Sequence, residues 1–175
     1  MKKINKIYTK TIYDELPDTS FLGKYTDEVN DWYIDREQGE YIAILQKDED
    51  YELPSKGREY RFFNPCAGGE EEGTEDYQKY GKQDFERMES LNNGNWFFMG
   101  IETIAEVHTS QDGKNWLINT LSSGGLWGIE SDSDNSYIEE VNNEQINELK
   151  TVLKEYGFST KEINKALKSI EHKDI

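Results

Sequence analysis

Three carboxylates at alternate positions, Glu130, Asp132 and Asp134, are the densest group of residues in this chain that could do chemistry. Alternate side chains of an extended chain lie on one face, so these three could offer hard oxygen ligands to Ca²⁺ or Mg²⁺. The calcium-loop template fits poorly, because Tyr137 stands where a turn glycine is needed and Asn143 replaces the final glutamate. The sequence therefore predicts no cofactor, with Ca²⁺ or Mg²⁺ as the alternative.

A glycine-rich segment directly before these carboxylates indicates a sharp turn of the backbone. Gly124 and Gly125 let the chain bend or approach another group closely. Trp127, followed by Gly128, is expected to fill an aromatic slot in the core. A bulge followed by an acidic, solvated turn is the structural interpretation of residues 122–134. The functional alternative is a metal- or small-ligand-binding site centred on the same residues, with or without enzymatic activity.

Negative charge is concentrated in the middle of the chain. Of 36 acidic and 20 basic residues, residues 14–143 hold 30 acids and 10 bases. Such a field repels nucleic acid and attracts basic surfaces, so we expect no direct nucleic-acid binding. The predicted partner is a host protein with a basic nucleic-acid-binding surface, and a purely solubilising role of the acids is the alternative. The carboxylates expected to bind it are Asp48, Glu49, Asp50, Glu70, Glu71, Glu72, Glu75 and Asp76.

The sequence contains no recognisable catalytic motif. Cys66 is the single cysteine and there are two histidines, too few for a disulfide within the chain or a Cys/His zinc site. No nucleophile elbow, phosphate-binding loop or dinucleotide fingerprint occurs. We therefore predict no catalytic residues. Arg36 and Arg87, two of only four arginines, are expected to form structural ion pairs, with Asp35 and Asp84 as their neighbours.

Hydrophobic periodicity predicts an α+β fold around an antiparallel sheet. Apolar residues alternate along residues 96–109, which indicates a strand with one buried face. Asp112-Gly113 is typical of a type I′ hairpin turn, in which both central residues take positive φ. Residues 115–121 are then expected to return as the second strand of this central hairpin.

Helical spacing predicts one helix in the middle of the chain and two at its end. Asn142 and Gln145 have the spacing of a capping-box variant, and Ser159 and Glu162 have that of a second capping box. The length suits one acidic domain over residues 1–175, with residues 1–15 as a basic N-terminal arm or edge strand. The predicted helices are 75–92, 143–156 and 160–171.

Several segments together resemble a family of small proteins found in bacteriophages and other mobile elements. The strongest is SSGGLWGIESDS at residues 122–133, and further segments lie at residues 17–25, 34–40, 59–65 and 84–89. The resemblance implies a phage-type gene and brings no activity with it. Together with the acidity, it leads to the hypothesis of a non-enzymatic inhibitor of a host restriction or CRISPR system, as a DNA mimic. A virion-associated structural protein is the other alternative.

The beginning of the chain lacks the apolar segment of a signal peptide, and no stretch has the length of a membrane span. We therefore expect the protein in the cytoplasm of the host cell. The sequence predicts no oligomeric state.

Overall fold

The structure is a computed structural model that describes residues 1–26, 32–36, 40–43 and 62–173. Helices and mainly antiparallel strands form it, which confirms the predicted α+β class. The chain divides into two compact units: unit 1 is Met1–Pro17 with Trp96–Ile175, and unit 2 is Asp18–Asn95. The single domain stays a prediction, since compactness of two units does not show that either folds alone.

Strands and helices alternate irregularly along the chain. The strands are β1 (Lys2–Tyr13), β2 (Gly23–Thr26), β3 (Trp32–Asp35), β4 (Glu40–Ala43), β5 (Phe62–Pro65), β6 (Phe98–Thr109), β7 (Leu117–Ser122), β8 (Leu126–Glu130) and β9 (Glu171–Lys173). The helices are α1 (Glu75–Asn92), α2 (Asn135–Glu155) and α3 (Thr160–Leu167), and a short 3₁₀ turn covers Ala67–Gly69.

Unit 1 is built on a five-stranded sheet with the order β7-β6-β1-β9, in which β8 also pairs with β6. Strands β6 and β7 form the predicted hairpin. The basic segment expected as an arm or edge strand is instead an inner strand. It pairs antiparallel with β6 along its length and parallel with β9 at Tyr8–Lys10. The prediction failed because β9, which begins where the last predicted helix was expected to end, was not predicted as a strand.

One face of this sheet packs against α2 and α3. Helix α2 buries every fourth residue, at Val141, Gln145, Leu149 and Leu153. Leu149 and Leu153 join sheet residues such as Val107 in one apolar cluster, and Val141 joins Ile101 in a second. The buried polar side chains of Thr9, Thr103 and Gln145 also belong to this unit. The core is thus apolar in two places and contains buried polar groups as well.

Three local predictions in unit 1 are wrong. Helix α2 begins at Asn135 rather than at 143, and Asn142 lies inside it and donates to the Ile138 carbonyl. Helix α3 ends at Leu167 rather than at 171, although its capping box is present. The hairpin loop is not a type I′ turn, because Gly113 has positive φ and Asp112 does not. Its loop runs over residues 110–116, and side-chain hydrogen bonds organise it.

Unit 2 contains a four-stranded sheet with the order β2-β5-β3-β4 and helix α1. Helix α1 has the predicted bounds because Thr74 caps its first turn, accepting from the Tyr77 N–H at 3.2 Å. Phe63 on β5 is fully buried, and the ring of Phe85 on α1 lies 5.7 Å from it. Among the described residues, no helix has both the length and the apolar character required to cross a membrane.

Candidate functional site: two acidic surfaces and a serine-glycine turn

The glycine-rich segment forms the turn between β7 and β8. Gly124 and Gly125 have φ of 94° and 84°, a region that favours glycine. The Ser122 hydroxyl donates to the Glu102 carboxylate on β6 and accepts the Gly124 N–H at 2.9 Å. The Ser122 hydroxyl therefore ties the backbone of the turn to a side chain of β6.

Ser123 ties this turn to the core of unit 1. Its hydroxyl accepts the Thr103 N–H at 3.0 Å and donates to Gln145 Oε1 at 2.7 Å. Gln145 is buried on α2, so one serine connects β6 to that helix. Beside it, the Thr103 hydroxyl is buried and has no hydrogen-bond partner within the described ranges of the chain.

Trp127 does not fill a core slot as expected. Its side chain is 47% exposed, and its ring lies over Gly100 on β6. A Cβ placed on Gly100 would come within 2.5 Å of that ring. Gly128, the next residue, has a φ of 75° and no neighbour that would obstruct a side chain. Trp127 therefore packs on the surface of β6, where the absence of a side chain at Gly100 leaves room for its ring.

The three alternate carboxylates do not share an extended segment. Glu130 ends β8, Asp132 lies in a turn, and Asp134 is the N-cap residue of α2. The chain turns between them, so the expectation of one face over residues 130–134 is wrong. No group of three or more His, Cys, Asp or Glu side chains in the described parts of the chain is arranged to hold a metal ion.

The acidic segment before α1 is exposed along its whole length. Its residues are Glu70, Glu71 and Glu72, and Glu75 and Asp76 follow in the first turn of the helix. The two acids in that turn also favour the helix, because they face its positive N-terminal end. Asp48, Glu49 and Asp50, the other predicted partner-binding group, lie outside the described residues.

A second acidic surface, which the sequence analysis missed, lies on α2. Glu140, Glu144 and Glu148 recur every fourth residue and are all exposed. Among the described residues, none of the three takes part in an ion pair. Residues 115–149 contain seven acids and no Lys, Arg or His. The repeat every fourth residue was a signal for this surface, but it was hidden by placing the helix start at 143.

The two units carry different amounts of charge. Residues 18–95, the span of unit 2, contain 20 acids and 9 bases, and the segments of unit 1 contain 16 acids and 11 bases. In unit 1 the Lys residues of β1 offset part of the negative charge; Lys6, for example, lies 3.7 Å from Glu106. Residues 115–149 contain no basic residue, so no positive charge within this stretch offsets its seven acids.

Arg36 occupies a polar cluster inside unit 2. Its Nε donates to Glu89 Oε1 at 2.7 Å, and the Tyr25 hydroxyl donates to the same oxygen at 2.9 Å. The guanidinium carbon lies 4.0 Å from the centroid of the Tyr25 ring. Burial, and then the hydrogen bond to Glu89, raise the pKa of Tyr25. Glu89, 53 residues away, is thus a carboxylate partner of Arg36 that the sequence analysis did not single out.

Arg87, the other arginine predicted to form an ion pair, lies on α1, the helix that also carries Glu89. Arg87 is half-buried. Asp84, expected beside it, accepts the Ala67 N–H at 2.7 Å and so holds the 3₁₀ turn against α1. Burial raises the pKa of Asp84, and the backbone N–H groups of Ala67 and Cys66 oppose that shift. These contacts stabilise unit 2.

The loop of the central hairpin borders an open depression of about 660 Å³. Asp112 organises this loop, accepting the N–H groups of Lys114 and Asn115 at 2.9 Å each. These backbone bonds are the main reason why the pKa of Asp112 is well below its usual range. Leu117 and Tyr156 line the same depression. The described residues that line it include no cluster of acid–base groups.

Comparison of the chain with family models, with curated proteins and with solved structures gives no match. A function can therefore be inferred only from the chemistry of the exposed carboxylates.

Proposed function

We propose that this chain is a non-enzymatic protein of phage or mobile-element type that binds a host nucleic-acid-handling protein through its exposed carboxylates. Its partner is a restriction or CRISPR component with a basic groove, and occupation of that groove inhibits it. The single observation that carries the proposal is the row of Glu140, Glu144 and Glu148 on α2, exposed and without ion pairs among the described residues.

The spacing of this row suits a basic groove. An α-helix rises 1.5 Å per residue, so carboxylates four residues apart are about 6 Å apart along the axis. Like charges at this spacing destabilise an isolated helix slightly. Glu140, Glu144 and Glu148 therefore weaken the helix that carries them, and folding does not require them. That cost supports a role in binding.

The density of negative charge along α2 determines how closely this row can imitate the phosphate backbone of DNA. Duplex DNA carries one charge per roughly 1.7 Å of its axis, against about one per 6 Å along the row on α2. One such row has therefore about a third of the charge density of a duplex. The five exposed acids among residues 70–76 are a second source of negative charge, in unit 2. The negative field of the row on α2 steers association and weakens as salt rises.

The proposal is tested with a triple variant, Glu140→Gln, Glu144→Gln and Glu148→Gln. Tagged wild-type protein and the variant are used to capture proteins from a bacterial host lysate at about 50 mM and 500 mM NaCl. We expect the wild type to retain a nucleic-acid-binding protein at low salt only, and to compete with DNA for it. We expect the triple variant to lose at least about tenfold in affinity.

A matched control replaces Glu70, Glu71 and Glu72 by Gln, which removes the same charge from unit 2. If this control alone loses binding, the surface before α1 is the binding site and α2 is not. If no nucleic-acid-binding protein is captured, or the capture is as strong at 500 mM NaCl, the proposal is wrong.

A further inference from the structure

Strand β7 is an uncharged sheet edge in a highly charged protein. Charged residues make up 32% of the chain, yet residues 115–129 contain none. This stretch forms β7, the turn after it and β8 up to Ile129, and both strands pair with one side of β6. Unprotected edges of this kind are normally blunted by Lys, Pro or a bulge, and β7 contains neither Lys nor Pro.

The exposed side chains of β7 are apolar at its beginning. Leu117 is 72% exposed and Ile118 is 65% exposed. In the part of the chain that the structure describes, no strand lies on the outer side of β7, since β7 is the terminal strand in the order of its sheet. An occupant of this edge must therefore supply a backbone ladder and uncharged side chains on both faces.

We propose that this occupant is β7 of a second copy, paired antiparallel about a two-fold axis at Asn119. A two-fold axis perpendicular to a sheet brings residues of the same face opposite each other. In this register Leu117 lies opposite Leu121 of the second copy, and Ile118 lies opposite Thr120 of the second copy. Directly opposed apolar and β-branched side chains are the pairs that stabilise antiparallel strands, and the closed symmetry stops further addition.

Charge and area define how strong this association is. Each copy has a net charge of −16, so the two repel at low salt, and the uncharged edge is where the approach costs least. A pair of six-residue strands buries less than the roughly 1,200 Å² typical of a stable interface. The dimer is therefore weak, with a Kd on the order of 0.1 mM. Its Kd falls as salt screens the repulsion, the opposite of the salt dependence expected for capture of a basic partner.

Sedimentation velocity of the full chain between about 10 µM and 1 mM, at 50 mM and 500 mM NaCl, measures this equilibrium. We expect a monomer–dimer equilibrium that tightens about tenfold at the higher salt. Ile118→Lys should abolish it, whereas Leu16→Lys, at an exposed leucine of the same unit, should leave it unchanged. Thermal melts confirm that both variants fold.

Position 119 provides the sharpest test, because the two-fold axis places it opposite itself. Asn119→Lys and Asn119→Glu should each be monomeric, and an equimolar mixture of the two should dimerise. A wild type that stays monomeric at 1 mM and 500 mM NaCl overturns the proposal. So does a dimer that persists in both single variants, or a mixture that behaves as its components do. None of these outcomes depends on whether the carboxylates bind a host protein.

Discussion

Replacing Thr103 by valine should make the protein more stable, although the substitution removes a polar group from a strand. Thr103 is fully buried on β6, opposite Thr9 on β1, and its hydroxyl has no hydrogen-bond partner among the described residues. Valine has nearly the same shape, so the strand and its neighbours need not move. The change therefore isolates the cost of burying one hydroxyl.

The expected gain follows from that cost. A buried polar group without a partner destabilises a protein by about 1–3 kcal/mol. Because threonine and valine have similar volumes, no cavity offsets the gain. We expect the free energy of unfolding to rise by about 1–2 kcal/mol. In a chain of this size, each kcal/mol raises the Tm by roughly 2–4 °C, so the Tm should rise by about 2–8 °C.

Two variants serve as controls in the same thermal and urea melts. Thr9→Val removes a hydroxyl that lies 2.6 Å from His172 Nδ1, so it should lower the stability. Thr103→Ser keeps the unpaired hydroxyl and deletes a methyl group, so it should cost about 1 kcal/mol. A fall in Tm for Thr103→Val would refute the reasoning, since it would mean that the hydroxyl donates to a partner such as Gln145.

Three further predictions concern single contacts. Glu89→Gln should destabilise unit 2 by about 2 kcal/mol in urea melts, because it removes the charge that faces Arg36, whose side chain is only 9% exposed. Gly100→Ala should cost about 1–3 kcal/mol and shift the tryptophan fluorescence, because its Cβ would meet the ring of Trp127. The folded state lowers the pKa of Asp112, so its stabilisation is present above about pH 4 and lost as pH falls below that. The difference in Tm between wild type and Asp112→Asn should therefore shrink from pH 6 to pH 2.

Each of these has its own control. Glu86→Gln, at an exposed residue of α1, should change stability by less than about 0.5 kcal/mol, and an equal loss there would contradict the role of Glu89. The double variant Gly100→Ala and Trp127→Ala should cost less than the sum of its parts, since the clash is gone. If the Tm difference between wild type and Asp112→Asn stayed constant with pH, the hydrogen bonds that the Asp112 carboxylate accepts would not depend on its charge.

Local signals in the sequence determined the elements that local physics controls. Thr74 and Ser159 are helix caps because their hydroxyls accept the N–H group three residues later, which is a relation between near neighbours. The alternation of residues 96–109 placed the central strand. The expectation of a single buried face was wrong, because Phe98, Gly100 and Ile104 on the other face of β6 are buried as well. The excess of carboxylates was likewise visible without any structure.

Only the tertiary structure decided which groups meet across long stretches of chain. Arg36 and Glu89 are 53 residues apart, and Ser123 meets Gln145 only because α2 packs on the sheet. Trp127 lies over Gly100 because a glycine on the neighbouring strand leaves room for its ring. Periodicity describes one element at a time, whereas these contacts depend on which faces of different elements come together. For the same reason, the place of β7 at the end of the strand order, as far as the structure describes the chain, could not be inferred from the spacing of residues alone.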